Sequence, residues 1–166
     1  MPVKQTIPYD SGTFFITYTC YNWMPLIEKV NGYDIVYSWF DILKKSGHFI
    51  NGFVIMPNHV HALISFTQTN QSINTIIGNG KRFMAYEVIN RLRQNNEIEL
   101  LSLLAQNVEA FRRLKNKKRD VLKLSFDWKE CNSTLFIDQK LNYIHNNPCS
   151  GKWNVCKSPI EYEHSQ

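Results

Sequence analysis

The segment from residue 48 to residue 66, HFINGFVIMPNHVHALISF, constrains the fold of this chain more than any other part of it. Two apolar runs of strand length lie on either side of Pro57 and Asn58. Proline cannot donate to a sheet ladder, and asparagine tolerates tight turns. The segment therefore predicts a β-hairpin whose turn is formed by these two residues.

The segments around the hairpin predict one further strand and three helices. Residues 13–20, TFFITYTC, alternate with the two-residue period of a strand. Apolar residues at helical spacing predict a helix of about three turns from Ile35, a second helix from Ser72 to about Arg93, and a third over residues 134–147. Gly78 and Gly80 weaken the first half of the second helix. This order predicts an α+β fold with helices packed on an antiparallel sheet.

A basic run separates the second and third helices. Residues 100–123 begin with apolar side chains and continue into RRLKNKKR, in which six of the eight residues are basic. The run is either the end of a helix followed by a basic loop or a flexible insert, at about residues 105–120. Six charges in eight residues are hard to explain by folding alone, so we expect them to contact an anionic partner.

The composition favours one globular domain over residues 1–166 with a polyanionic partner. The formal net charge is +5 and the isoelectric point is about 9.0, which produces a field that attracts nucleic acid. The four cysteines form no C-x-x-C pair, so we expect reduced thiols and no structural zinc. With no signal peptide and no long apolar run in the sequence, we expect a cytoplasmic protein without a membrane segment.

Two histidines directly follow the predicted turn. Side chains two residues apart on a strand point to the same side, so His59 and His61 should lie next to each other. Two imidazoles in this arrangement can bind one divalent ion. Paired histidines also occur on sheets that bind nothing, and the pair alone leaves both interpretations open.

The third predicted helix carries a second group of polar side chains. At about 100° per residue, Phe136, Lys140, Tyr143 and Asn147 fall within about 60° of one another. A tyrosine hydroxyl can attack a phosphate that a metal ion neutralises, and an oxygen-bearing side chain one turn away can complete the metal shell. The alternative is a half-buried structural tyrosine followed by a helix-terminal asparagine.

Together the two motifs resemble those of a known family. MPNHVHALI, followed some eighty residues later by QKLNYIHNNP, resembles the single-tyrosine transposases of the HUH superfamily, most closely the REP-associated tyrosine transposase-like proteins. KRFMAYEV resembles the middle helix of that family, so the resemblance covers nearly the whole chain. It implies a ferredoxin-like α+β fold, His59 and His61 as metal ligands, Tyr143 as the nucleophile, and Asn147 as the third protein ligand. A neutral asparagine ligand suits Mg²⁺ or Mn²⁺.

The resemblance also implies an activity and a substrate. The expected activity is metal-dependent cleavage and strand transfer of single-stranded DNA that contains a hairpin, through a 5′-phosphotyrosine intermediate. Relatives include monomers and swapped dimers, so the oligomeric state stays open. The side chains expected to contact DNA are basic or aromatic: Lys81, Arg82, Tyr86, Arg112, Arg113, Lys115, Lys117, Lys118, Arg119 and Lys140.

Two other functions are compatible with parts of this pattern. A domesticated module would keep the fold and bind DNA or RNA hairpins without cutting them. A metal-free or two-histidine phosphodiesterase would need a second H-x-[ST] element in a matching strand, and His164-Ser165 at the end of the chain does not supply it. The sequence CSGKW after the tyrosine motif departs from the family pattern, so DNA specificity cannot be transferred.

Overall fold

The structure is a computed structural model that describes residues 6–106, 108, 119–151 and 153–166. Its centre is a four-stranded antiparallel sheet in the order β2-β3-β1-β4. The strands are β1 Gly12–Thr19, β2 Phe49–Ile55, β3 His59–Phe66 and β4 Asp127–Glu130. β3 and β1 are therefore the central pair, and each of them pairs with two neighbouring strands.

Five helices of the described residues surround this sheet. They are α1 Leu26–Lys29, α2 Tyr33–Lys45, α3 Ile73–Gln94, α4 Ile98–Gln106 and α5 Thr134–Asn146. Short 3₁₀ turns cover Tyr21–Trp23, Asn147–Cys149 and Pro159–Glu161. Ser72 and Ser133 cap α3 and α5, because their hydroxyls accept hydrogen bonds from the backbone N–H groups of Thr75 and Phe136.

The order β1-α2-β2-β3-α3-β4 is that of the ferredoxin-like fold, which confirms the predicted α+β class. The apolar sides of α2 and α3 pack on one face of the sheet, where Phe14, Ile16 and Tyr18 of β1 are fully buried. Gly80 of α3 lies so close to α2 that an added Cβ would be 2.0 Å from the indole nitrogen of Trp39. The two helices therefore need a glycine at this contact.

The opposite face of the sheet is covered by α5. Ile144 packs there against Phe15, Val54 and Leu63, with Leu141 beside them. A Cβ on Gly52 would lie 2.6 Å from the Leu141 side chain, so the bare backbone of β2 lets the helix approach closely. The chain thus forms three layers, with the sheet between α2 and α3 on one side and α5 on the other.

The hairpin is confirmed, with its turn at residues 56–58 between β2 and β3. α3 runs without interruption through Gly78 and Gly80.

β4 was missed by the sequence analysis, and so was the pairing of the last residues with β2, in which the Phe53 N–H donates to the Gln166 carbonyl at 2.7 Å. The predicted basic insert begins within α4, and most of it lies outside the described residues. No helix in the described part of the chain is long and apolar enough to cross a membrane.

Candidate active site

The two predicted metal-ligand histidines lie side by side on central strand β3. Their side chains are buried, and their ring centroids are 4.7 Å apart. Both belong to the side of the sheet that α5 covers, because Val60 between them joins the opposite core. The two-residue period of the strand thus gives the predicted arrangement.

Each imidazole is held by a hydrogen bond at Nδ1. His61 Nδ1 lies 2.6 Å from Oγ1 of Thr17 on β1, and His59 Nδ1 lies 2.6 Å from Oδ1 of Asn58. An amide oxygen only accepts hydrogen bonds, so His59 Nδ1 donates and its Nε2 keeps a lone pair. Such outer partners fix the tautomer and the ring orientation of metal-binding histidines.

The electrostatic environment favours the neutral form of both rings. Burial lowers the pKa of His61 to about 3, and the nearby charges of His59 and Lys140 add to this effect. Burial also lowers the pKa of His59, while a hydrogen bond with the Asn147 side chain acts in the opposite direction. Neutral imidazole is the form that binds a metal ion.

Tyr143 projects from α5 beside the histidines. Its ring centroid is 5.1 Å from that of His61 at an interplanar angle of 73°, and its side chain is 48% exposed. Phe15 supports both rings, because it stacks on His61 at 5.4 Å and meets Tyr143 edge to face at 5.8 Å. The tyrosine is therefore fixed in place but open to a large substrate, and one chain supplies both motifs.

The ammonium of Lys140 lies over three aromatic rings one turn before Tyr143. Its Nζ is 4.8 Å from the centroid of Phe15, 5.1 Å from Phe136 and 5.8 Å from Tyr143. The structure thus brings together the side chains that the helical spacing placed on one face. A positive charge at this position can meet a phosphate that reaches Tyr143.

The third predicted ligand, Asn147, follows α5 in a 3₁₀ turn and contacts His59. Two neutral imidazoles and one amide oxygen fit a hard divalent ion that keeps water or phosphate in its remaining positions. Among the described residues, no group of three or more His, Cys, Asp or Glu side chains is placed to hold a metal. A metal at these histidines would therefore need the amide of Asn147 and oxygens from water or substrate.

Lys81, a predicted DNA contact, has a different environment from the one its sequence context indicates. Its side chain is only 9% exposed, and its ammonium donates to the carbonyls of Lys123, Leu124 and Ser125 at 2.5 to 3.1 Å. The structure therefore gives Lys81 the role of fixing this segment before β4. A contact between Lys81 and DNA stays a prediction.

The other predicted DNA contacts are distributed over the surface. Arg82 and Tyr86 are exposed on α3, and Arg82 lines a groove of about 640 Å³ beside Lys123. The side chain of Arg119 donates to the Leu101 carbonyl at 3.3 Å. The remaining residues of the basic run lie outside the described part of the chain: Arg112, Arg113, Lys115, Lys117 and Lys118.

Three residues beside the histidines were missed by the sequence analysis. Thr17 and Asn58 orient the two rings, and the exposed ring of Trp23 meets His59 edge to face at 5.9 Å. The alternation of β1 places Thr17 on a face, but only the pairing of Thr17 with His61 shows which ring it contacts. No pattern in the sequence marks Trp23.

The fold and this arrangement define a structural class: a ferredoxin-like sheet with an H-x-H pair on its central strand and a tyrosine helix across it. The chain is similar in structure to a REP-associated tyrosine transposase solved in complex with a REP hairpin. The TM-score is 0.68 at 14% sequence identity, over 99% of this chain and 82% of the other. The likeness establishes the fold and agrees with the resemblance seen in the motifs.

A second similar structure is a crystal structure of a protein described provisionally as a transposase, from Deinococcus radiodurans R1. Its TM-score is 0.47 at 17% identity, over 87% of this chain and 97% of the other. No protein-family model and no curated protein sequence matches the chain.

Proposed function

We propose that this protein is a metal-dependent endonuclease and strand transferase for single-stranded DNA, with Tyr143 as its nucleophile. The observation that carries the proposal is the position of the Tyr143 ring, 5.1 Å from His61, which itself lies beside His59. The phenol, the two neutral imidazoles and Asn147 converge at the end of one sheet face. A buried histidine pair of purely structural function would not need an exposed phenol next to it.

The histidines and Asn147 would hold the metal, and Thr17 and Asn58 would keep the rings in the binding orientation. Bound Mg²⁺ or Mn²⁺ would polarise the scissile phosphate and offset the charge that develops on it. Lys140 would add a second positive charge near the phosphate that faces Tyr143.

Tyr143 would attack the phosphorus in line and release its phenolic proton to water. The bond from phosphorus to the 3′ oxygen would break, and that oxygen would take up a proton to become a free 3′-hydroxyl. The protein would then be joined to the 5′ phosphate of the downstream fragment. Since the phosphotyrosine remains a phosphodiester, a second 3′-hydroxyl can displace Tyr143 and join two strands without ATP.

The proposed substrate is single-stranded DNA next to a hairpin, encountered in the cytoplasm. The structurally similar transposase was solved with a REP hairpin, and this chain carries a formal net charge of +5. Arg82, Tyr86, Arg119 and the basic run before Arg119 are the proposed contacts with the flanking DNA. These side chains would bind phosphates and stack on bases without fixing the sequence.

The adduct between protein and DNA tests the nucleophile. With Mg²⁺ or Mn²⁺, 3′-labelled hairpin DNA should give a labelled protein band that survives SDS, because the label stays on the downstream fragment. Tyr143→Phe should lose the band and the cut but keep DNA binding, whereas the control Tyr9→Phe, at an exposed tyrosine outside the proposed site, should keep all three. Cleavage at the wild-type rate by Tyr143→Phe, or an adduct on Tyr86, would contradict the proposal.

Removal of the metal ligands tests the rest of the site. His59→Ala, His61→Ala and EDTA should each abolish cleavage, and Asn147→Ala should weaken it less because water can replace one neutral ligand. Cleavage that continues in chelator would exclude a metal role for the histidines. Hairpin binding with no cut by the intact protein in any divalent metal would instead favour the non-cleaving module.

We also propose that one chain forms a complete site, whether or not the protein dimerises. His61 and Tyr143 of the same chain are in ring contact. A mixture of Tyr143→Phe and His59→Ala chains should therefore stay inactive. Restored cleavage in the mixture would show that Tyr143 serves the site of a partner chain.

A further inference from the structure

An exposed tryptophan extends the row of rings at the proposed active site. The Trp23 side chain is 48% exposed, and its ring meets His59 edge to face, with the centroids 5.9 Å apart. Tyr143, His61, His59 and Trp23 thus follow one another across the same side of the sheet. A tryptophan that served only the core would be buried like Trp39, which is 2% exposed.

The backbone holds Trp23 in a conformation that the chain does not adopt freely. Asn22 and Trp23 have φ of 50° and 57°, in the left-handed region that bulky side chains disfavour. Asn58 stabilises this conformation, because its amide Nδ2 donates to the Trp23 carbonyl at 3.1 Å. The Oδ1 of the same amide accepts the hydrogen bond from His59. One side chain therefore sets the positions of the proposed metal ligand and of the tryptophan together.

A lysine completes the surface around Trp23. The Nζ of Lys123 lies 4.6 Å from the centroid of the Trp23 ring. Its backbone is fixed on both sides, since its N–H donates to the Thr19 carbonyl at 2.9 Å and its carbonyl accepts from the buried Lys81 ammonium. Lys123 also lies at the edge of the groove that contains Arg82. An aromatic face beside an ammonium is the combination that binds single-stranded DNA, through base stacking and phosphate contact.

We propose that Trp23 and Lys123 form a subsite for the unpaired nucleotide next to the scissile phosphate, whose base stacks on the indole and whose phosphate contacts the ammonium. This inference rests on the proposed function, since it places the nucleotide relative to the bond that Tyr143 attacks. Stacking on an indole tolerates any base, so the subsite selects single-stranded over duplex DNA rather than a sequence.

The test is a binding experiment that does not depend on cleavage. The inactive Tyr143→Phe protein is titrated, by fluorescence anisotropy, with the hairpin DNA that wild type cuts, carrying single-stranded flanks of about ten nucleotides. A set of these oligonucleotides has one abasic position each, on either side of the cut. Loss of the base next to the scissile phosphate should weaken binding about 5- to 150-fold, the range that corresponds to one stacked base.

The Trp23 variants identify the residue that causes this loss. In the same background, Trp23→Asn should bind intact DNA as weakly as the parent binds the abasic one, and should no longer respond to that position. Trp23→Tyr should recover part of the response. Phe49→Asn is the matched control, because Phe49 is an exposed aromatic about 14 Å along the sheet from His61 and about 20 Å from His59, and it should keep the full response.

Asparagine tolerates the left-handed conformation, so Trp23→Asn should unfold at the same temperature as its parent. If it does not fold, Lys123→Gln provides the second test, with weaker binding and a smaller salt dependence expected. A response to the abasic position that persists in Trp23→Asn would overturn the subsite while a covalent adduct still supports Tyr143. Failure of the wild type to cut any hairpin DNA would overturn the proposed function, and the subsite with it.

Discussion

Two glycines of α3 have opposite surroundings, and replacing each by alanine tests the packing of the helices. A Cβ on Gly80 would lie 2.0 Å from Nε1 and 2.2 Å from Cε2 of Trp39 in α2. A Cβ on Gly78 would meet nothing within 4 Å. The same chemical change should therefore have opposite effects two residues apart.

The expected magnitudes follow from these distances. Gly78→Ala should gain about 1 kcal/mol from helix propensity, which raises Tm by about 2–4 °C in a chain of this length. Gly80→Ala gains the same propensity but must displace an indole that is 2% exposed and cannot turn into solvent. Overpacking of this kind costs about 1–3 kcal/mol or more, so we expect a net loss and a lower Tm.

Thermal unfolding followed by circular dichroism measures both variants against wild type. Trp39→Phe should restore part of the stability of Gly80→Ala, because the smaller ring leaves room for the added methyl group. If Gly80→Ala were as stabilising as Gly78→Ala, then α2 and α3 would not be packed as described. The position of Arg82 and Tyr86 on α3 would then need to be revised as well.

Three further predictions concern the site, the surface charges and the basic run. Thr17→Val removes the hydrogen-bond partner of His61 and should weaken Mn²⁺ activation of cleavage about 10- to 100-fold. The control Thr13→Val, at the far end of β1, should leave Mn²⁺ activation unchanged. Equal dependence of cleavage on Mn²⁺ concentration in the two variants would contradict this prediction. Asp34 is hydrogen-bonded to Arg91, which lowers the pKa of the carboxyl from 3.8. Above pH 3.8 the charged pair therefore stabilises the fold, and this stabilisation is lost as the pH falls through the lowered pKa. Asp34→Asn should lower the free energy of unfolding by less than about 1 kcal/mol at pH 7 and leave it unchanged in strong acid, as measured by urea unfolding across pH. Neutralising basic residues in the run from Arg112 to Arg119 should make the slope of log affinity against log salt concentration shallower by about 0.7 for each DNA phosphate that the variant no longer binds. An unchanged slope with an altered sequence preference would mean that these residues contact bases.

The sequence was most informative where one local pattern determines the geometry. Pro57 and Asn58 interrupt two apolar runs, so the turn and the strands on either side could be predicted. The strand period then places His59 beside His61, and the helix period places Lys140 and Tyr143 on one face. These relations depend only on residues close together in the chain.

Other parts of the site depend on contacts between distant segments. β4 has the sequence DWKE, whose charged residues carry no strand period, and it forms because its backbone pairs with β1. Lys81 stands among basic and aromatic residues that suggest a DNA surface, but its ammonium binds three carbonyls more than forty residues away. The role of Gly80 likewise depends on Trp39 in another helix. Such positions follow from tertiary packing, which overrides local propensity.

The distance along the chain between the histidine strand and the tyrosine helix has a consequence for protein synthesis. About 80 residues separate His61 from Tyr143, so at about 5–20 residues per second the ribosome makes the histidines roughly 4–16 s before the tyrosine. During that interval β1, β2 and β3 can already pair, but the nascent chain has no nucleophile beside its histidines. Under the proposed mechanism, a ribosome that stalls before α5 leaves a fragment that has the histidine pair but neither Asn147 nor Tyr143, so it can neither complete the metal site nor break DNA.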